Sequence, residues 1–181
     1  MPAMLDKPHG WFRTWFRKVW KLRRGGLFAC GFAISFVIRE TGSLADDVLG
    51  CALWLNCENL QRAGAFKFRG ASNALARLDE TGRTGDVATH SSGNHGAALA
   101  LAAASHGRRA HVVMPENSVK PKIESVRRYG GEVIFCKPTT EGREAGLARL
   151  VDRGCIPVHP YDYADIICGQ GTAAVEFMQQ C

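Results

Sequence analysis

Lys67 lies between two aromatic rings in the run Ala65-Phe66-Lys67-Phe68-Arg69-Gly70 and leads straight into a helix-forming stretch. A lysine amine in apolar surroundings is easier to keep neutral, and only a neutral amine attacks a carbonyl. At a helix start its ammonium would also face the positive end of the dipole, which disfavours the charged form. A second cluster, Ser91-Ser92-Gly93-Asn94-His95-Gly96, runs from a strand-like stretch into an alanine-rich one. Backbone N–H groups at a helix start, loosened by glycines and joined by two hydroxyls and an amide, suit a carboxylate or phosphate. An amine nucleophile and an anion cradle in one chain suit an aldehyde cofactor that carries a phosphate, which is pyridoxal phosphate chemistry. The plainer alternatives are a surface lysine and an ordinary Ser/Asn helix cap. His95 has no second histidine or carboxylate at a ligand spacing, so no metal site is expected. Backbone donors with an incidental imidazole are the expected use of that position.

These side chains need a scaffold. From Ala52 onward, short β-branched or apolar runs alternate with helical patterns, each switch punctuated by Gly, Pro or Asn. That rhythm predicts an α/β fold with a parallel sheet flanked by helices. Strands are expected over 52–57, 86–90, 109–114, 132–136 and 156–159. Helices are expected over 67–78, where Phe68, Ala71, Leu75 and Leu78 share one face, and over 94–106, 120–129 and 141–151. Pro121 in the first turn and Gly130-Gly131 after the last suit the ends of the third. A final helix is expected from Gly171.

Residues 1–40 break this pattern. Trp11, Phe12, Trp15, Phe16, Val19, Trp20 and Leu22 sit at largely helical spacing beside Arg and Lys. Such a stripe suits an anionic membrane surface, but a packing role or a simple extension is the favoured expectation. The apolar run 25–38 holds 14 residues, short of the roughly 20 that cross a bilayer as a helix. No small-x-small cleavage site follows it, so export is not expected.

Composition narrows the classes further. At 181 residues, 46% apolar and 22% charged, the chain can bury a core and is not expected to be disordered. The net charge of +6 comes entirely from residues 1–30, where seven Lys/Arg face Asp6 alone. The remainder is balanced, so no nucleic-acid partner is expected for it. Seven cysteines without a C-x-x-C pair predict reduced thiols and a cytoplasmic setting, with neither a disulfide framework nor a zinc site.

Four segments carry a resemblance. Cys57 to Ala71 (C-E-N-L-Q-R-A-G-A-F-K-F-R-G-A), Thr89 to Gly96 (T-H-S-S-G-N-H-G), Met114 to Lys122 (M-P-E-N-S-V-K-P-K) and Gly169 to Thr172 (G-Q-G-T) resemble the serine/threonine dehydratase and serine racemase family. These are pyridoxal-phosphate enzymes of fold type II, the tryptophan synthase β-like fold, and the resemblance runs from about Gly42 to the terminus. It implies that Lys67 holds the cofactor covalently and then serves as base at the substrate's α-carbon. It implies that Phe66 packs on the cofactor ring and that Asn94 bonds its phenolic oxygen. It places Ser91, Ser92, Gly93, Asn94 and His95 around the substrate carboxylate, and Arg143 near the substrate side chain. Ser92 also matches the acid/base that racemising members keep on the face opposite the lysine.

The resemblance implies a domain order as well: a leader over 1–40, the first part of the large domain over 41–82, a small α/β domain over 83–160, and a return to the large domain over 161–181. Two departures stand out. The family's phosphate-cradling loop and its pyridine-nitrogen partner would fall beyond Cys181, and Asn56 stands where a lysine is common. Weak or absent activity is therefore expected of these 181 residues alone. The implied reaction is dehydration and deamination of a hydroxy amino acid such as L-serine or L-threonine, by a homodimer when full length. The alternatives are serine racemase, threo-3-hydroxyaspartate ammonia-lyase, and a non-catalytic remnant.

Overall fold

A computed structural model describes residues 38–40 and 43–180. The basic, aromatic stretch of residues 1–37 lies outside the described residues, and with it the expectations for a leader.

The first described elements are β1 (Ile38–Glu40), α1 (Ser43–Leu49) and β2 (Trp54–Asn56). β1 and β2 pair antiparallel as a separate two-stranded ribbon, with Arg39 opposite Leu55. The strand expected over 52–57 is therefore shorter and does not join the parallel sheet. The backbone after Asn56 winds into two 3-10 turns, Glu58–Leu60 and Arg62–Gly64, which end the ladder.

The main sheet holds β3 (Val87–His90), β4 (Ala110–Pro115), β5 (Glu132–Cys136) and β6 (Ile156–Pro157), all parallel, in the order β5-β4-β3-β6. Around it run α2 (Lys67–Glu80), α3 (Asn94–Ser105), α4 (Lys120–Arg128), α5 (Thr140–Asp152) and α6 (Ala164–Gln180). Both faces of a parallel sheet are covered, so alternate strand residues feed two cores. Val87, Val112 and Met114 join Phe68, Leu75, Leu99 and Val126 on one face. Ala88, Val113 and Cys136 join Leu150 of α5 on the other.

Strand order decides where a ligand can sit. The chain steps from β3 to β4 to β5 in one direction, then α5 carries it back so that β6 pairs with β3. The crevice at the carboxyl ends of β3 and β6 is thus a topological switch point, the place where open α/β sheets bind ligands.

α6 begins seven residues before the expected Gly171 and runs unbroken through Gly169 and Gly171. The reason is a helix crossing. A methyl group built on Gly169 would lie 2.7 Å from the Arg69 carbonyl oxygen and 2.7 Å from Gly70 Cα, so the backbones of α2 and α6 touch there. Beside this crossing, the buried Arg69 guanidinium donates to Thr172 Oγ1 (2.6 Å) and to both Glu176 oxygens (3.2 and 2.8 Å), and its Nε to Glu58 Oε2 (3.3 Å). This fork anchors the first turn of α2, which carries Lys67. No helix among the described residues is long and apolar enough to cross a membrane. Among the described residues, Cys51, Cys57, Cys136 and Cys155 are free thiols.

Candidate active site

Entry to α2 is set by a left-handed turn. Ala63 has φ 58° and ψ 13°, and Gly64 follows with φ 68°. Nothing lies within 4 Å of a methyl group built on Gly64, so Gly64→Ala is expected to cost about 1 kcal/mol through the backbone alone. Urea unfolding measures that loss, and an unchanged midpoint would mean that the turn is not left-handed.

Beyond the turn, Lys67 is half-buried, and its Nζ donates to the Pro160 carbonyl at 2.9 Å. It lies 5.2 Å from the centroid of the Phe66 ring. No carboxylate pairs with it among the described residues, and burial holds its pKa below the ordinary lysine range. The two flanking rings do not share the work equally. Phe68 is a core residue, whereas Phe66 is 42% exposed on the open side.

The Ser91–Asn94 loop follows the end of β3. Ser91 Oγ accepts the N–H groups of Gly93 and Gly96, each at 3.2 Å, so its hydroxyl braces the loop from inside. Ser92 and Asn94 are exposed. The N–H groups of Asn94 and His95, at the first positions of α3, have no acceptor among the described residues, as expected for a helix start that awaits an anion.

His95 is more than an incidental ring. It is buried, and its Nε2–H donates to the Val158 carbonyl at 3.3 Å, tying the loop to the chain just after β6. Its ring is turned away from solvent, which leaves its backbone N–H for a ligand. Nδ1 is then a bare acceptor without a partner. Burial first, with the nearby Lys67 charge adding to it, lowers its pKa to about 4. The unfolded ring binds a proton below its ordinary 6.5 while the folded ring does not, so stability falls as pH drops from there towards 4. At pH 5 the loss is about 2 kcal/mol. Urea midpoints at pH 7.5 and 5 in the wild type and His95→Gln check this, and an equal pH slope in both would assign the loss to other groups.

Across the crevice, His159 Nδ1 accepts the N–H groups of Tyr161 (3.4 Å) and Asp162 (2.9 Å). Its ring meets that of His90 edge-on at 5.6 Å and that of Tyr161 at 4.4 Å. Arg143 stays with its own helix, donating to the Thr139 carbonyl (3.4 Å) and Thr140 Oγ1 (3.2 Å). Its link to the site is electrostatic. Burial, then the charges of His159 and Arg143, lower the His90 pKa. The structure thus ties Lys67 and His95 to carbonyls of the same short Val158–Pro160 stretch and leaves Arg143 without a hydrogen bond to the loop. Sequence reasoning missed Val158, His159 and Pro160, because their place beside β3 follows from strand order and from no motif.

These residues fit pyridoxal phosphate. An amine without a carboxylate partner, an outward-facing ring and an exposed amide, on Lys67, Phe66 and Asn94, are what such a group requires. Comparison with known proteins agrees. The serine racemase of Dictyostelium discoideum is 43% identical over 141 residues, 77% of this chain and 44% of that protein. A beta-hydroxyaspartate dehydratase of Paracoccus denitrificans is 43% identical over 142 residues, 78% of this chain and 45% of its own length. The solved structure of threonine deaminase isoform 2 from Solanum lycopersicum superposes with a TM-score of 0.83 at 28% identity, covering 99% of this chain and 52% of that one. The chain spans about half the length of these relatives. Residues 40–181 match the pyridoxal-phosphate dependent enzyme family, so the chain belongs to the fold type II enzymes of that family, whose cofactor is pyridoxal 5'-phosphate.

Proposed function

We propose that this chain carries the lysine side of a lyase that eliminates water from a hydroxy amino acid such as L-serine or L-threonine, the released enamine then taking up water to give ammonia and a 2-oxo acid. The observation that carries the proposal is Lys67: half-buried, without a carboxylate partner among the described residues, and held by a neutral carbonyl at 2.9 Å. Lys67, Phe66 and Asn94 would hold the cofactor, which supplies an electron sink for charge at the α-carbon. With that sink in place a moderate base suffices, and Lys67 takes the α-proton. Ser91 braces the loop, while the N–H groups of Asn94 and His95, with Ser92 and Gly93 beside them, receive the substrate carboxylate. Arg143 is assigned to the substrate side-chain end. Residues 83–160 form the small domain in this reading, with 41–82 and 161–181 belonging to the large one, and the whole protein acts as a homodimer.

A second reading is racemisation, favoured by the 43% identity to a serine racemase. There the exposed Ser92 hydroxyl would return a proton to the α-carbon from the face opposite Lys67. Threo-3-hydroxyaspartate is the third substrate considered, given a Pseudomonas ammonia-lyase for it at 42% identity. The full protein, loaded with cofactor, should be given L-serine, L-threonine and L-threo-3-hydroxyaspartate, with 2-oxo acid, ammonia and D-serine followed separately. Oxo acid and ammonia in equal amounts support elimination, and D-serine lost in Ser92→Ala supports racemisation. No turnover of any of the three would sink both.

A further inference from the structure

Catalysis as proposed draws on the backbone N–H of His95 and leaves its imidazole without a task. That ring is costly where it stands. It is 3% exposed and has a single hydrogen bond among the described residues, from Nε2–H to the Val158 carbonyl at 3.3 Å, while Nδ1 has no partner. Burying an unsatisfied ring nitrogen costs free energy that an apolar side chain of similar size would not. Packing alone therefore does not account for the imidazole, and its bond to Val158 is what it adds.

Val158 is held from two sides. Its N–H donates to the Ala88 carbonyl of β3 at 2.8 Å, and its carbonyl receives the His95 ring. β6 has already ended at Pro157, and the buried Pro160 has no N–H with which to fix itself. The Pro160 carbonyl nevertheless receives Lys67 Nζ at 2.9 Å. Downstream, the His159 ring takes the N–H groups of Tyr161 and Asp162, so the carbonyl that holds the amine lies between two ties made by histidines. The groups whose charge bears on the His95 ring are Lys67 of α2, His159, and His90 of β3. All three are cationic when protonated, so a neutral His95 is the form compatible with an ammonium on Lys67.

We propose that His95 is a positioning residue for Lys67, its ring fixing the Val158–Pro160 stretch so that the Pro160 carbonyl receives the amine whenever the amine is free of the cofactor. This rests on the reading of Lys67 as the cofactor-bearing base. A base that has taken a proton is an ammonium, and a carbonyl aimed at one of its N–H groups stabilises it against burial. His95 itself takes no proton in the reaction.

The test uses the full chain without cofactor and needs no turnover. The Lys67 Cε resonance, assigned by its loss in Lys67→Arg, is followed against pH by NMR, and the histidine ring nitrogens are read in the same samples. Wild-type His95 should be the tautomer protonated at Nε2. His95→Leu and His95→Met keep most of the bulk and remove the donor, and either one that folds should lower the midpoint of the Lys67 titration by about half a pH unit, about threefold in proton affinity. His95→Gln, whose amide can still donate, and Val126→Ala, which weakens the same core from α4, should leave that midpoint in place. An Nδ1-protonated ring in the wild type, an unmoved midpoint in a variant without the donor, or an equal fall in Val126→Ala would each overturn the proposal. None of these outcomes touches the labelling of Lys67 by pyridoxal phosphate, which decides separately whether the lysine reading stands.

Discussion

Lys67→Ala is expected to abolish covalent attachment of pyridoxal phosphate. Incubation with the aldehyde, borohydride reduction and peptide mass spectrometry should place the wild-type label on Lys67, and in the variant only the slow background on exposed lysines such as Lys120, Lys122 and Lys137 should remain. The physical basis is competition between amines. An exposed lysine is almost wholly protonated at neutral pH, whereas burial lowers the pKa of Lys67 and raises its neutral fraction at every pH below the ordinary lysine value. The labelling rate should therefore climb with pH, and for Lys67 the climb should begin at lower pH than for the surface amines. The same shift has a sign in stability. The unfolded chain keeps the Lys67 proton to higher pH than the folded one, so folding gains as pH rises between the two values. A label that falls on another lysine, with Lys67 unmodified, would end the enzymatic reading.

Arg69→Met should be the most destabilising of the single substitutions considered, by about 3 kcal/mol. Its guanidinium is buried and serves Glu58, Thr172 and Glu176 at once. Removing it strands two carboxylates. Glu58 already has its pKa raised by burial, with Arg69 as the counterweight. Loss of that counterweight leaves a charge that must protonate or find water. Arg77→Met, which breaks the exposed Arg77–Glu80 pair and a longer 3.8 Å contact to Asp165, should cost no more than about 1 kcal/mol. Urea midpoints at unchanged m-value compare the two. A cost below about 1 kcal/mol for Arg69→Met would mean that the fork contributes little net stability. Lys67 labelling in Arg69→Met should also slow, since the fork holds the turn that carries the amine.

Much of the architecture could be read from residue patterns because its strands are β-branched and short and its helices carry clear ends. β3, β4 and β5 lie within a residue or two of expectation, as do α2 through α5. The failures have particular causes. β1 and α1 are too short to show a period, and β2 was drawn into the wrong sheet because three residues do not reveal their partner. The start of α6 was misplaced because Gly169 and Gly171 look like helix breakers. At Gly169 the absent side chain instead admits the backbone of α2, so a packing signal had the appearance of punctuation. At the site, Lys67 and the Ser91–Asn94 loop were legible because their neighbours in sequence are also their chemical context. The Pro160 carbonyl and the His95 tie to Val158 were not. Each joins segments whose proximity exists only after β6 has settled beside β3.

The spans closed by the fork also bear on how the protein matures. Arg69 meets Thr172 and Glu176 at sequence separations of 103 and 107, and Lys67 meets Pro160 at a separation of 93. Contacts of that range close slowly, so on the ribosome this lysine emerges as an ordinary protonated side chain and stays so until the segment carrying Pro160 has followed and docked. Indiscriminate capture of cellular aldehydes by the newborn chain is thereby disfavoured, and reactivity arrives together with the completed tertiary structure.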